Sequence, residues 1–539
     1  MKSLLAFAVF PLAAVYAACT DLDFDYSDVT EHCGDLFNFT GDAGLEAPTV
    51  VTNVTYIPAD NETDVPAYCE VYGYIDGYTK FALALPAEGK DWSGNFQSQG
   101  CGGSCGILGL YYVYGYGSLG WAYDILKRGW IASSNDMGHE NGANDTLSTW
   151  SFFRNNRTEE YLFASLSTHQ TAVMGKAMAE FYYGKPVKRS YFRGGSTGGR
   201  QALVAAARYP HDYDGIIAGY AAINETAIGA IQFVYLAQAS TYENGTQILY
   251  QEDLRTLNAG AIKACDANDG LVDGMIDLAY ECVFDPLDVL CTANQTSGCL
   301  SSMDKVNAAR AMYGYPSNNV TDKVIPVAYL PGSELEWSMW AADYASPNYG
   351  VHFAQNFSIN AAYQKDLPWT WTIRDQDWDT MPYETGFMED IYSADFTALN
   401  VFRARGGKLI HYQGWGDGNV AAGWNYNLYK TSADLIGIDN LADFHRFFLY
   451  PQMAHIDLSD NSTVAWRVDY YDLIEDWVEN GVAPDKLVIE RYNLTSEETI
   501  DYRPYWPYPY TSNYTGSGLT GNYSDVEDWE PILVSECEN

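Results

Sequence analysis

Apolar residues gather along this chain into short runs, and three of those runs end in loops that carry polar residues, two of them rich in glycine. Residues 188–193 (Lys-Arg-Ser-Tyr-Phe-Arg) predict a strand, and residues 201–209, rich in alanine and leucine, predict a helix. Between them lies Gly194-Gly195-Ser196-Thr197-Gly198-Gly199. Residues 408–412 predict a second strand, running into Gly414-Trp415-Gly416-Asp417-Gly418, and residues 445–450 a third, running into Pro451-Gln452-Met453-Ala454-His455. Polar candidates just past strand ends predict an α/β fold with an open sheet, because such sheets present their ligands there. From about residue 223 to 395 the pattern changes to Cys-braced loops, Asp/Gly turns and aromatic segments such as Trp369-Thr370-Trp371. No linker-like composition marks its edges, so it predicts an insertion folded over the sheet rather than a separate binding domain.

The one longer apolar run is N-terminal. Met1-Lys2-Ser3, the stretch from Leu4 to Val15, and the small residues Ala17 and Ala18 have the three parts of a secretory signal peptide, too short in its apolar part to span a bilayer. Cleavage is expected near Ala18 or Cys19. Asn-x-Ser/Thr sequons at positions 38, 53, 61, 144, 156, 224, 244, 294, 319, 356, 461, 493, 513 and 522 fit a secreted chain carrying N-linked glycans. The ten cysteines are then expected to pair, Cys265 with Cys282 and Cys291 with Cys299 as local staples. Cys19, Cys33, Cys69, Cys101, Cys105 and Cys537 allow 15 pairings and stay open. A formal charge of −40 repels polyanions and argues against nucleic acid or an anionic membrane as partners.

Gly-x-Ser-x-Gly occurs twice, at 194–198 and at 102–106. A nucleophile elbow needs a strand before it and a helix after it, because the serine sits on a tight, strained turn. Only the first copy has both predicted flanks, which makes Ser196 the candidate nucleophile. Its hydroxyl needs a base, usually a histidine held by a carboxylate, in the chain order nucleophile, acid, base. Of eight histidines, His32, His139 and His169 precede the serine, His211 follows it too closely, and His411 and His445 fall within predicted strands. His455 lies in a loop near the chain's end and is the candidate base, with Asp417 as the acid and Asp457 as a weaker rival. Backbone N–H groups must hold the oxyanion; Thr197 and the loop Gly100-Cys101-Gly102-Gly103, through Gly102, are the candidates.

A second constellation lies in the insertion. Asp266, Asp269 and Asp273 offer hard oxygens, Gly270 and Gly274 let the chain curl, and the carbonyls of Leu271 and Met275 complete a shell suited to a structural Ca2+ ion. The spacing is not that of an EF-hand. Closure by Cys265 and Cys282 favours an ordered loop by about 3 kcal/mol in the chain-entropy model.

These residues, in this order, resemble the tannase and feruloyl esterase family. The resemblance rests on Trp92-Ser93-Gly94-Asn95-Phe96 leading to the Gly100 loop, and on Tyr191-Phe192-Arg193-Gly194-Gly195-Ser196-Thr197-Gly198-Gly199-Arg200-Gln201. It continues with the stretch from Tyr209 to Gly219, the calcium loop, Gly407 to Asp417, and Met453-Ala454-His455. It implies an α/β-hydrolase fold with a large inserted lid that binds the aromatic acyl part of an ester, and calcium on Asp266, Asp269, Leu271, Asp273 and Met275. One departure stands out: the family joins cysteines placed directly before the serine and after the histidine, whereas this chain has Gly195 and Ile456. The triad is then expected to be held by packing and hydrogen bonds alone. The expected division is a signal peptide over 1–18, a catalytic unit from 19–222 and 396–539, and a lid over 223–395. The expected activity is that of a secreted serine esterase acting on hydroxycinnamic or gallic type esters; the alternatives are a non-catalytic binder on the same scaffold, or a serine peptidase.

Overall fold

The computed structural model describes residues 29–40, 45–108, 121–140, 150–269, 271–319, 324–344, 348–459, 463–516 and 525–534. The predicted signal peptide, Cys19, Cys537, Gly270 and the sequons at 144, 461 and 522 lie outside these residues. Among those described, no helix is long and apolar enough to cross a membrane. Of the fourteen sequon asparagines the other eleven are described, and none is buried.

Nine strands form one sheet: β1 (Thr49–Ile57), β2 (Tyr68–Ile75), β3 (Thr79–Pro86), β4 (Asn95–Gln99), β5 (Ile131–Asn135), β6 (Arg189–Gly195), β7 (Gly215–Gly219), β8 (Lys408–Gly414) and β9 (His445–Tyr450). Their order is β1-β2-β3-β5-β4-β6-β7-β8-β9. The pairings from β1 to β5 are antiparallel, and from β5 through β4 to β9 every neighbour is parallel. The three strands read from the hydropathy pattern are thus β6, β8 and β9, all in the parallel half.

Side chains alternate across this sheet with period two, which builds two cores. Phe192, Ile216, Leu409 and Phe447 face one core, while Tyr191, Ile217, Ile410 and Phe448 face the other. The first core receives the helices Ser167–Tyr183, Thr197–Arg208 and Gly423–Ile436, and the second receives Trp121–Lys127 and Tyr470–Asn480. Helices on both faces bury the parallel strands from both sides, polar positions such as Gln97, Ser98 and His411 included.

Between β7 and β8 the described chain adds no strand to the large sheet; it forms helices including Phe233–Ser240, Gln251–Cys265, Met303–Met312, Tyr349–Asn360 and Met381–Tyr392. After β9 come four short antiparallel strands, β10 (Leu458–Ser459), β11 (Val464–Arg467), β12 (Leu487–Asn493) and β13 (Glu498–Tyr505), and a separate pair, β14 (Tyr510–Tyr514) with β15 (Trp529–Leu533). Among the described residues the disulfides are Cys33–Cys69, Cys101–Cys105, Cys265–Cys282 and Cys291–Cys299.

Candidate active site

β6 ends at Gly195 and a helix begins at Thr197, so Ser196 alone makes the turn, with φ 59° and ψ −125°. A serine at positive φ is strained, and hydrogen bonds on both sides hold it: Ser196 N donates to Gly219 O (3.1 Å), and Ser196 O accepts from Ala222 N (3.0 Å). The glycines are required by close approach. A Cβ on Gly194 would stand 2.4 Å from Gly198 O, and one on Gly199 would stand 2.5 Å from Gly219 O.

β8 and β9 deliver the other two candidates. Nδ1 of His455 lies 2.9 Å from Oδ2 and 3.1 Å from Oδ1 of Asp417. Asp417 is buried, and its Oδ1 accepts from the backbone N–H groups of Asn419 and Val420, both at 2.8 Å, while Oδ2 accepts from Nε2 of Gln413 at 3.2 Å. A carboxylate only accepts, so Nδ1 of His455 carries the proton and Nε2 is left as the basic nitrogen. Oγ of Ser196 forms no hydrogen bond with this imidazole here; in hydrolases that bond is often long or poorly aligned until substrate is in place. The rival carboxylate, Asp457, does not take Nδ1. It accepts from the Tyr412 hydroxyl (3.3 Å), and burial pushes its carboxyl up to about 6.

Tyr220, just past β7, packs beside both. A Cβ on Gly195 would meet its ring at 2.4 Å, and its ring centroid lies 4.8 Å from that of His455. The backbone around the site is strained at several non-glycine positions: Tyr220 (φ 33°), Gln452 (φ 51°), Ile456 (φ 66°) and Asp457 (φ 59°). For β-branched Ile456 this conformation is costly, and such outliers persist only where the surroundings impose them.

The loop carrying Gly102 runs along the elbow. Thr197 Oγ1 donates to Gly103 O (2.7 Å), and Cys101 N donates to Gln201 Oε1 (2.9 Å). A Cβ on Gly100 would lie 2.6 Å from Gly198 Cα, so the two backbones touch. Gly102, Thr197, Ser196 and His455 all line one cavity of about 940 Å³. The second Gly-x-Ser-x-Gly does follow a strand, β4, which the hydropathy pattern did not suggest. Its Ser104 is buried, and its carbonyl meets Nε2 of His139 at 2.7 Å.

The cavity's far wall comes from the segment between β7 and β8 together with Trp150. Ile228, Phe233, Met339, Tyr349 and Phe353 give it an apolar, aromatic surface. Glu225 is its buried acidic group; burial pushes the carboxyl up to about 7, against the opposing pull of Arg200, whose Nε lies 3.3 Å away.

In the acidic loop of the insertion, the Asp266 carboxylate accepts from the backbone N–H groups of Asp273 (3.1 Å) and Gly274 (3.1 and 3.2 Å), and Gly274 adopts φ 83°. Asp273 accepts from Met275 N (3.1 Å) and pairs with Arg503. The side chain of Asp269 is outside the described residues. Among the described residues no group of three or more histidine, cysteine or acidic side chains is placed to hold a metal ion, and the Asp266 and Asp273 carboxylates are engaged by backbone N–H groups and by Arg503.

The parallel sheet, with the elbow and the histidine–carboxylate pair at its strand ends, has the arrangement of an α/β-hydrolase, and its relatives make the chain a carboxylic ester hydrolase. The chain belongs to the tannase and feruloyl esterase family, whose model matches residues 69–528. It is 30% identical to mono(2-hydroxyethyl) terephthalate hydrolase of Piscinibacter sakaiensis, over 84% of this chain and 83% of that protein. It is 28% identical to a probable feruloyl esterase B-1 of Aspergillus oryzae, over 89% of this chain and 90% of that one. The crystal structure of feruloyl esterase B from Aspergillus oryzae superposes with a TM-score of 0.76 at 23% identity, covering 94% of this chain and all of the other.

Tyr220 and Gln413 escaped the sequence reading. Tyr220 stood in view beside the apolar stretch 215–219, but nothing in a linear pattern says that its ring fills the space above Gly195. Gln413 is one polar residue inside an apolar run, with no motif around it.

Proposed function

We infer that this chain is a secreted, N-glycosylated serine esterase that hydrolyses carboxylic esters of aromatic acids of the hydroxycinnamic or gallic type. The observation that carries the reading is the meeting, in one cavity, of a serine on a strained elbow with a histidine whose Nδ1 is held by a buried carboxylate. Nε2 of His455 takes the proton from Ser196 Oγ as the oxygen attacks the ester carbonyl carbon. The negative charge on the former carbonyl oxygen falls to the N–H groups of Thr197 and Gly102. The C–O bond to the alcohol then breaks, His455 returns the proton to the leaving oxygen, and the acyl group stays on Ser196. Water repeats the sequence with His455 again as base, which frees the acid.

The aromatic wall of Trp150, Phe233, Tyr349 and Phe353 supports a flat acyl group, since aromatic rings prefer offset or edge contacts with other rings. The names of the relatives agree with such substrates. Calcium is part of the same reading: Asp266, Asp269 and Asp273, with the carbonyls of Leu271 and Met275, would hold it, and it would stabilise the insertion rather than take part in the chemistry.

The test is a panel of methyl ferulate, methyl gallate, chlorogenic acid and a small aryl ester, with the matching aryl amide. The reading expects the aromatic-acid esters to be cleaved with the highest kcat/KM and the amide to be left intact. Preference for the amide, or for aliphatic acyl esters, would contradict it.

A further inference from the structure

Behind Asp417 the hydrogen bonds continue into the core. Oδ2 of Asp417 accepts from Gln413 Nε2 (3.2 Å), and Gln413 Oε1 accepts from Asn425 Nδ2 (2.7 Å). Oδ1 of Asn425 lies 3.0 Å from Nε2 of His411, and Nδ1 of His411 lies 3.2 Å from Nε2 of His445. β8 supplies His411 and Gln413 on one face, β9 supplies His445, and the helix Gly423–Ile436 supplies Asn425. All four side chains are buried.

The direction of the series is fixed by neighbours that only accept. Gln413 Nε2 also meets the carbonyl oxygens of Gly414 (3.1 Å) and Val420 (3.2 Å), and Asn425 Nδ2 meets that of Ala221 (3.0 Å). The nitrogens of both amides are therefore assigned to those sides, and their oxygens face back along the series. Asn425 Oδ1 then needs a donor, which places the proton of His411 on Nε2 and makes its Nδ1 an acceptor. His445 must answer with a proton on its own Nε2, leaving its Nδ1 bare, and that atom has no partner among the described residues. Burial holds both imidazoles well below the usual histidine range, His411 at about 3, so neither gains the second proton that would break the order.

We propose that His445, His411, Asn425 and Gln413 form a one-way positioning relay in which every N–H points toward Asp417, and which fixes the orientation of that carboxylate and, through it, of His455. The inference rests on the serine esterase reading above. Four polar side chains that merely satisfied one another in the core would need neither a common direction nor an end on the acid. Here Oδ1 of Asp417 is held by two backbone N–H groups and Oδ2 by Gln413, so the carboxylate cannot rotate without losing one side. Such series also strengthen bond by bond, because each donor polarises the next.

The experiment uses the full chain and three variants. Asn425→Asp keeps the shape but replaces the donor to Gln413 with an acceptor. His411→Phe removes the donor to Asn425, and His411→Gln supplies an amide N–H in its place. Active sites are titrated with a fluorophosphonate, and kcat and KM on an aryl ester are taken per titrated site, which removes misfolded protein from the count. The relay predicts that Asn425→Asp and His411→Phe lower kcat about 10- to 100-fold with KM little changed, and that His411→Gln regains most of what His411→Phe loses. It is overturned if both variants keep wild-type kcat per titrated site, or if His411→Gln is no better than His411→Phe. A wild-type chain that cleaves the ester but never reacts with the fluorophosphonate would instead overturn the serine reading, so the two failures are distinct.

Discussion

The ring of Tyr220 lies where any side chain on Gly195 would have to go: a Cβ there would meet the ring carbons and the hydroxyl oxygen at 2.4 Å. The same ring flanks the imidazole of His455 at 4.8 Å. The resemblance led to an expectation of a triad held by packing where the family has a crosslink; the space beside the serine is filled here by an aromatic ring. Gly195→Ala is therefore expected to cost about 1–3 kcal/mol of stability, as overpacking does, and to lower kcat/KM. Removing the ring as well, in Gly195→Ala with Tyr220→Ala, should relieve the clash, so the two changes together cost less than the sum of each alone. Thermal melts and kcat/KM on an aryl ester for the single and double variants check this. Simple additivity would rule the clash out.

Asp417→Asn is expected to lower kcat by roughly 10⁴-fold, the size seen when a triad histidine is forced into the wrong tautomer. The reason lies in the site. Oδ1 is committed to the N–H groups of Asn419 and Val420, so the new amide nitrogen has to take the place of Oδ2 and face Nδ1 of His455. His455 then accepts at Nδ1 and carries its proton on Nε2, where it cannot act as a base. Steady-state kinetics decide the matter; a loss below tenfold would contradict it.

Burial pushes the carboxyl of Asp136 up to about 7 from an ordinary 3.8. Its Oδ1 accepts from the backbone N–H groups of Gly138 (2.9 Å) and Lys80 (3.0 Å), while Oδ2 meets no partner among the described residues. The folded chain binds this proton more tightly than the unfolded one, so its contribution is complete below the unfolded value and is lost as pH rises through about 7. Asp136→Asn removes the titration and keeps the shape. Its melting temperature should match or trail the wild type near pH 4 and gain on it steadily up to about pH 7. A gap between the two that does not change with pH would show that Asp136 does not titrate this way.

A calcium ion held by the loop at 266–275, as proposed, would stabilise only the folded chain, so its removal would lower the melting point by mass action. The expected result is a fall in Tm on chelation, restored by calcium, and little response to either in Asp273→Asn. Below the transition kcat/KM should stay the same with and without chelator. An unchanged Tm would remove the ion from the account.

The strand-to-loop junctions at Ser196, Asp417 and His455 were legible because each is a strand-like run stopped by a loop, glycine-bearing at Ser196 and Asp417 and opened by Pro451 before His455, a local signal. β4 was not, although it carries the Gly102 loop. Its sequence Asn-Phe-Gln-Ser-Gln looks too polar for a buried strand, yet Gln97 and Ser98 are buried, with Ser98 Oγ bonded to Ser133 Oγ at 2.8 Å. The antiparallel end, β1 to β3, and the place of β5 beside β3 depend on pairing between distant segments, which hydropathy along one segment does not encode. Gln413 and Asn425 were silent for the same reason: a lone amide in a strand or helix gains meaning only when the partner across the core is known.

The central claim is that Ser196 is the nucleophile, and labelling tests it most directly. A fluorophosphonate is added in steps to the wild-type chain, ester hydrolysis is followed, and the modified peptide is located by mass. The account predicts that activity falls in proportion to label, reaches zero at one equivalent, and that the label sits on Ser196. Hydrolysis that survives complete labelling, or a label found on any other residue at the point where activity is lost, would contradict it.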